Sequence, residues 1–300
     1  MFTYVVALCA VVLVFNSSVL QNFNIFSSEP RRLPRTPRPP INESLLAIDA
    51  IGAEDPQCPD HRFDGVHVFS RAPLVIYVEG FLSLGEREEL LSLSEPLFAP
   101  STTTSDGQHV SRNTSVRDSE VALLPRADLV RCLERRALAL QGWREELWIE
   151  RLRTQRYVAG GHYTHHFDWG SGSRGWGRVS SGMAWVASSG LEGGGTEFPS
   201  LRKRKEGEWC KFIECPDARH EKGSQPEANS QKVMAHDATK KQPAGELGVT
   251  FRVVPGNAVF WWNFRPDGTG RGFDETWHAG LPVTKGTKVG LNIWSWGRLD

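Results

Sequence analysis

The chain carries no charge excess: Lys+Arg and Asp+Glu are both 35 in 300 residues, so the net charge is zero. That leaves no electrostatic footprint for nucleic acid. Its N-terminal apolar run, Phe2 to Phe15, is 14 residues, short of the ~20 that a spanning helix needs. No Lys or Arg precedes that run, which is atypical of a targeting segment. There is no tryptophan before Trp143, although the chain has eleven. The C-terminal half therefore reads as one aromatic-rich core. Cysteine is scarce at five residues, and Cys9 lies in the leader, so the folded part has few candidates for disulfides or thiolate metal sites.

Residues 1–22 suit a signal-peptide core or a short signal-anchor, and the reading leaves cleavage open. Either form predicts the secretory pathway, with the endoplasmic reticulum lumen as location and membrane attachment through this segment as the anchored alternative. Arg31, Arg32, Arg35 and Arg38 follow some way beyond it. Residues 23–71 read as a Pro/Arg-rich linker and extension, with prolines at 30, 34, 37, 39 and 40 favouring polyproline II. Asn42-Glu43-Ser44 and Asn113-Thr114-Ser115 are acceptor sequences for lumenal glycosylation.

A domain is predicted over 72–300, with folding starting near Pro73. Leu74 to Val78 reads as a strand, and Ser83-Leu84-Gly85-Glu86 as a capping box opening a helix to about Glu95. Thr102 to Ser119 reads as loop, and Pro125 opens a second helix that Gly142 ends. Short strands follow: Ile149 to Tyr157, Val179 to Val186, Val249 to Val253, Ala258 to Trp262, and a half-buried strand carrying Val289, Leu291 and Ile293. Two helices ahead of many short strands with Gly/Pro turns predict an α+β chain with a sandwich or jelly-roll core. Residues 201–248 interrupt it as a long charged insertion. Within it, Cys210 and Cys215 form a candidate disulfide; a zinc site with His220 and His236 lacks tight ligand spacing.

The chemistry gathers on Tyr163-Thr164-His165-His166-Phe167-Asp168. On a strand, His166 and Asp168 share one face and His165 takes the other. A polar strand end would show the same HxD pair. The distal His278, with Lys288 ten residues on, changes that. Two imidazoles and one carboxylate on one face are the ligand set of non-haem Fe(II) oxygenases, which leave open positions for a co-substrate and O2.

Tyr157, Tyr163-x-x-His166-x-Asp168, Gly193-Gly194-Gly195-Thr196-Glu197-Phe198-Pro199, His278-Ala279-Gly280-Leu281-Pro282-Val283 and Lys288 together resemble the prolyl 4-hydroxylase-type 2-oxoglutarate/Fe(II) dioxygenases, from about residue 72 to 298. The resemblance implies a double-stranded β-helix with flanking N-terminal helices. It implies His166, Asp168 and His278 as catalytic iron ligands, with 2-oxoglutarate, O2 and ascorbate as further requirements. Lys288 and Tyr157, with Thr196, would take the far carboxylate of 2-oxoglutarate. Arg178 and Trp294 resemble positions near a peptide groove, and Trp176 with Trp294 would offer flat faces to proline rings.

The expected substrate is a prolyl residue in a proline-rich peptide, hydroxylated on the ring. The alternatives are another residue or a small molecule, a catalytically inactive peptide-binding module, and a zinc hydrolase using His162 and His166. The third glycine of Gly193-Gly194-Gly195 stands where the family usually has glutamate, and Trp185 where tyrosine is common. Oligomeric state is not legible.

Overall fold

Packed structure begins well before Pro73. In this computed structural model residues 39, 41–104, 110–142, 144, 146–171, 175–204, 207–215 and 247–299 are described. The predicted leader, the linker up to residue 38, and most of the insertion with His220 and His236 lie outside them. Contacts divide the chain into 1–35 and 36–300, and the described residues all belong to the second unit.

Residues 41–64 form a strap rather than a free spacer. Leu46 bridges to Glu150, and the Ala47 amide donates to the Ile149 carbonyl at 2.8 Å. Arg126 and Arg131 hold Asp49 at 2.9 and 3.1 Å. Cys58 is disulfide-bonded to Cys132, 74 residues away. Strand β1 (Gly65–Arg71) then pairs with β2 (Leu74–Glu79).

Helix α1 (Leu84–Ser94) starts at the expected capping box: Ser83 accepts from the Glu86 amide and Glu86 from the Ser83 amide, worth about 1 kcal/mol. Short strand β3 (Ala99–Pro100) precedes the stretch expected to be loop, and β4 (Thr103–Thr104), β5 (Val110–Ser111) and β6 (Arg117–Asp118) lie within it. β4 and β5 pair with each other, whereas β6 finds its partners, His162 and Tyr163, only farther along the chain. β7 (Glu120–Leu123) leads to α2 (Asp128–Leu140), which begins three residues after Pro125.

The catalytic half is eight strands that pass between two sheets. They are β9 (Arg153–Val158), after the two-residue β8 (Trp148–Ile149); β10 (His162–His166); β11 (Trp176–Gly193); β12 (Thr196–Arg202); β13 (Leu247–Phe251); β14 (Ala258–Trp262); β15 (His278–Gly280); and β16 (Val283–Arg298). The larger sheet contains the order β14-β11-β16-β9, and the smaller runs β13-β12-β15-β10-β6. This alternation is a double-stranded β-helix, or jelly roll.

Period-two patterning assigns the faces. Tyr77, Trp185, Val259 and Trp261 point inward and pack against Phe198, Val249 and Phe251 of the smaller sheet. The intervening Val78, Ala184, Val186, Ala258 and Phe260 point outward and meet Leu90, Val130, Leu133 and Ala137 of the helices. A fully buried Leu of this kind contributes roughly 2 kcal/mol. β16 is covered on both faces, from Lys288 to Gly297. The expected half-buried strand is thereby corrected: the outer cover comes from helices far away in sequence. The insertion also starts inside the core, where Leu201, Phe212 and Ile213 are buried and Cys210–Cys215 is formed.

Candidate metal centre

β10 and β15 are antiparallel, with His166 opposite His278 and Tyr163 opposite Gly280. β10 ends at His166, and Asp168 opens a 3-10 turn, Asp168–Ser171. The carboxylate therefore does not reach the site by strand alternation, as the HxD spacing suggested; the turn brings it in. His166 Nε2 lies 3.7 Å from Asp168 Oδ1, and His278 Nε2 lies 3.7 Å from Asp168 Oδ2. One donor atom from each of the three falls within 4.8 Å of the others.

The tautomers follow from the neighbours. His166 Nδ1 donates to the Thr164 carbonyl at 2.8 Å and His278 Nδ1 to the Thr276 carbonyl at 2.9 Å. A carbonyl only accepts, so each Nδ1 carries a proton and each Nε2 is the atom left facing Asp168. Burial, and then the nearby His278, push the His166 pKa down to about 3. Burial opposes charge on Asp168, yet His278 and His166 hold its pKa below the ordinary carboxylate range. Two imidazole Nε2 atoms and one carboxylate result, a donor set that fits Fe(II) with an open face.

Aromatic rings fix this arrangement. Tyr163 stacks on His166 with centroids 3.8 Å apart, and Phe198 and Trp261 pack on His278 at 5.4 and 4.9 Å. Trp169 Nε1 donates to Thr276 Oγ1 at 3.1 Å. That bond ties the Asp168 turn to the residue whose carbonyl orients His278. His165 faces away, as expected, to Glu197 at 2.8 Å. His162 sits on the same strand, with its ring nitrogens against the Gly160 and Ser115 carbonyls. The helix that a zinc-hydrolase pair would need is replaced by a strand.

A cavity open to solvent adjoins the cluster, lined among others by Tyr157, Thr196, Lys288 and Trp294. Lys288 is 6% exposed and stands opposite Tyr157 across β16 and β9. Its Nζ donates to the Gly194 carbonyl and lies 4.7 Å from the Tyr157 ring centroid. Among the described residues no carboxylate pairs with it, and burial lowers its pKa to about 8. A buried cation normally has a counter-ion; this one faces a cavity instead, which fits the far carboxylate of a 2-oxo diacid. The Tyr157 hydroxyl donates to Gln155 Oε1 at 2.7 Å.

Gly194 has φ +74, and a Cβ there would come within 3.3 Å of Lys288 Cδ. At Gly195 a Cβ would meet Thr250 Cγ2 at 2.5 Å. A side chain at that position would have to displace Thr250 and would crowd the Phe251 carbonyl at 3.1 Å. Trp185 is 1% exposed and lines the cavity.

Of the groove residues, Trp294 lines the cavity, with the Arg178 guanidinium 4.2 Å from its ring centroid. Trp176 does not join them. It packs with Leu46, Trp148 and Trp296 in a separate cluster, so its expected contact with proline rings is withdrawn. Gln155, Met183 and Asn292 also line the cavity; of these, the alternation along the last strand places Asn292 on the inner face with Lys288, while Gln155 and Met183 are not among the expected site residues. Gln155 lies two residues from Tyr157, and that even spacing is the signal that points to it.

No family model matches the chain. It is 27% identical over 233 residues to Probable prolyl 4-hydroxylase 3 of Arabidopsis thaliana, covering 76% of this chain and 70% of that protein. It is 25% identical over 236 residues to Prolyl 4-hydroxylase 5 of the same plant, with the same coverage. A solved viral collagen prolyl hydroxylase from Paramecium Bursaria Chlorella virus-1, in complex with 2-oxoglutarate, superposes with a TM-score of 0.48 at 19% identity, over 74% of this chain and 96% of that one. The sequence similarities and the His166–Asp168–His278 cluster mark the chain as a relative of the prolyl 4-hydroxylase-type 2-oxoglutarate/Fe(II) dioxygenases.

Proposed function

We propose that the chain is a 2-oxoglutarate-dependent dioxygenase that hydroxylates peptidyl proline. The observation that carries this reading is the His166–Asp168–His278 donor set, with Asp168 and His278 buried, beside a buried lysine that has no carboxylate partner among the described residues. The similarity to plant prolyl 4-hydroxylases supports peptidyl proline as the substrate.

When bound, Fe(II) and 2-oxoglutarate supply the O2-dependent oxidation, with ascorbate as the expected reductant. His166, Asp168 and His278 would hold the metal. Lys288 supplies the charge for the diacid's far carboxylate, and Tyr157 and Thr196 stand beside it as hydrogen-bonding groups. Met183, Trp185 and Trp261 make an apolar wall, which limits water around the reacting groups. Trp294 and Arg178 are placed to meet the peptide.

The reading includes a place of action in the endoplasmic reticulum lumen, with the N-terminal segment delivering or anchoring the chain. Two disulfides support an oxidising compartment. Asn42 and Asn113 of the two acceptor sequences are exposed. Among the described residues no helix is long and apolar enough to cross a membrane. The test of the catalytic reading is succinate release from 2-oxoglutarate that depends on Fe(II) and on a proline-containing peptide. Absence of release with metal-loaded protein and a broad peptide panel would overturn it.

A further inference from the structure

The inner face of β9 and β16 is a ladder from the cavity floor to its mouth. Lys288 pairs with Tyr157, Gly290 with Gln155, and Asn292 with Arg153. All but Arg153 line the cavity, and two-residue alternation sets Arg153 on the same face as Gln155 and Tyr157. Arg153 stands four residues from Tyr157, roughly 13 Å along the strand. A five-carbon diacid anchored at Lys288 does not extend that far, so this cation serves something else.

The mouth has more positive than negative charge. Arg153 and Arg178 flank Trp294, their guanidinium carbons 5.3 and 4.2 Å from its ring centroid. Arg117 lies against Tyr163 at 4.8 Å. The carboxylate among them is Glu150, which is 3% exposed. It is already engaged by Arg178 Nε at 2.5 Å and Nη2 at 3.1 Å, and by Trp296 Nε1. Arg153 reaches it only at 3.7 Å. Arg153 Nε and Arg117 Nη2 are buried without a hydrogen-bond partner. The Arg153 side chain nevertheless keeps 24% of its surface exposed. Burial, and the neighbouring Arg178, Arg117 and Arg151, all work against charge on Arg153 and outweigh Glu150. Asp168 also acts on Arg178, but it belongs to the metal cluster; among the described residues the three arginines otherwise share one carboxylate that is already occupied, which leaves the mouth short of an anion.

We propose that Arg153, with Arg178 beside Trp294, receives a carboxylate of the substrate, so that the preferred peptide carries aspartate or glutamate close to the residue presented to the metal cluster. This rests on the oxygenase reading above for the position of that residue. Arg153 discriminates between substrates and has no part in metal or co-substrate binding. A neutral peptide leaves its guanidinium under-paired, and a basic one adds repulsion.

The test is direct binding of fluorescein-labelled, proline-centred peptides to the full chain, read by anisotropy. One glutamate is walked along both sides of the proline, each position matched by glutamine. At one or more positions glutamate binds about tenfold tighter or more, and added salt reduces the difference. Arg153→Gln removes the preference, and Arg153→Lys retains part of it. Equal binding of glutamate and glutamine peptides at every position overturns the proposal, as does a preference unchanged in Arg153→Gln. Succinate release is measured in parallel. Charge preference without turnover sinks the oxygenase reading alone, and turnover without charge preference sinks this one alone.

Discussion

His166 and His278 face each other across β10 and β15, and each imidazole is fixed by the carbonyl two residues before it, Thr164 and Thr276. The two ligands are thus oriented by one local device used twice. Replacing either by alanine, or Asp168→Ala, abolishes tight Fe(II) binding and 2-oxoglutarate turnover. His165→Ala keeps both, because His165 points at Glu197. Metal content of the purified variants, with circular dichroism as the folding control, checks this. Equal metal loss in folded His165→Ala and His166→Ala contradicts the face assignment.

Lys288→Ala raises KM for 2-oxoglutarate while leaving Fe(II) content unchanged. Removing one partner of a buried ion pair costs on the order of 3–5 kcal/mol, or at least a hundredfold in KM. Lys288→Arg falls between, since its planar fork fits a site shaped around an ammonium poorly. A KM unchanged in Lys288→Ala removes the lysine from co-substrate binding.

Lys288 has its pKa lowered to about 8 by burial, and burial raises that of Tyr157. Between neutral pH and pH 9 the group that changes charge here is therefore the lysine. Its cation, needed for the carboxylate, is complete well below pH 8 and lost above it. KM for 2-oxoglutarate is then flat near neutrality and climbs by about tenfold per pH unit above 8. Initial rates across that range measure it, and a flat KM contradicts the assignment.

A lumenal catalytic domain predicts glycan on Asn42 or Asn113, both exposed. Endoglycosidase treatment of protein from native membranes increases its gel mobility, and protease outside intact vesicles leaves the domain uncut. Unmodified asparagines together with external digestion contradict the placement.

The metal ligands were legible because residue type and order survive folding, although the geometry that unites them differs. Asp168 arrives on a 3-10 turn rather than by strand alternation. The capping box at Ser83 was legible because all its partners are local. What stayed hidden depends on distant contacts. The Asp49 strap is held by Arg126 and Arg131, and Cys58 finds Cys132 only once α2 is placed. Trp176 looked like a groove residue because it lies close in sequence to the metal strand. Its register opposite Arg298 carries it away to Trp148 and Trp296. Arg153 carried no signal by itself, since its meaning comes from Glu150 being already occupied by Arg178.

The measurement closest to the central claim is mass spectrometry of proline-rich peptides incubated with the chain, Fe(II), 2-oxoglutarate and ascorbate, beside matched peptides with proline replaced by alanine. The account predicts a one-oxygen gain on the proline peptides alone, located on the ring by fragmentation, matched by succinate and absent in His278→Ala. Oxygen gain that persists in the alanine peptides contradicts proline as the target, and succinate release unaffected by His278→Ala contradicts the metal centre itself.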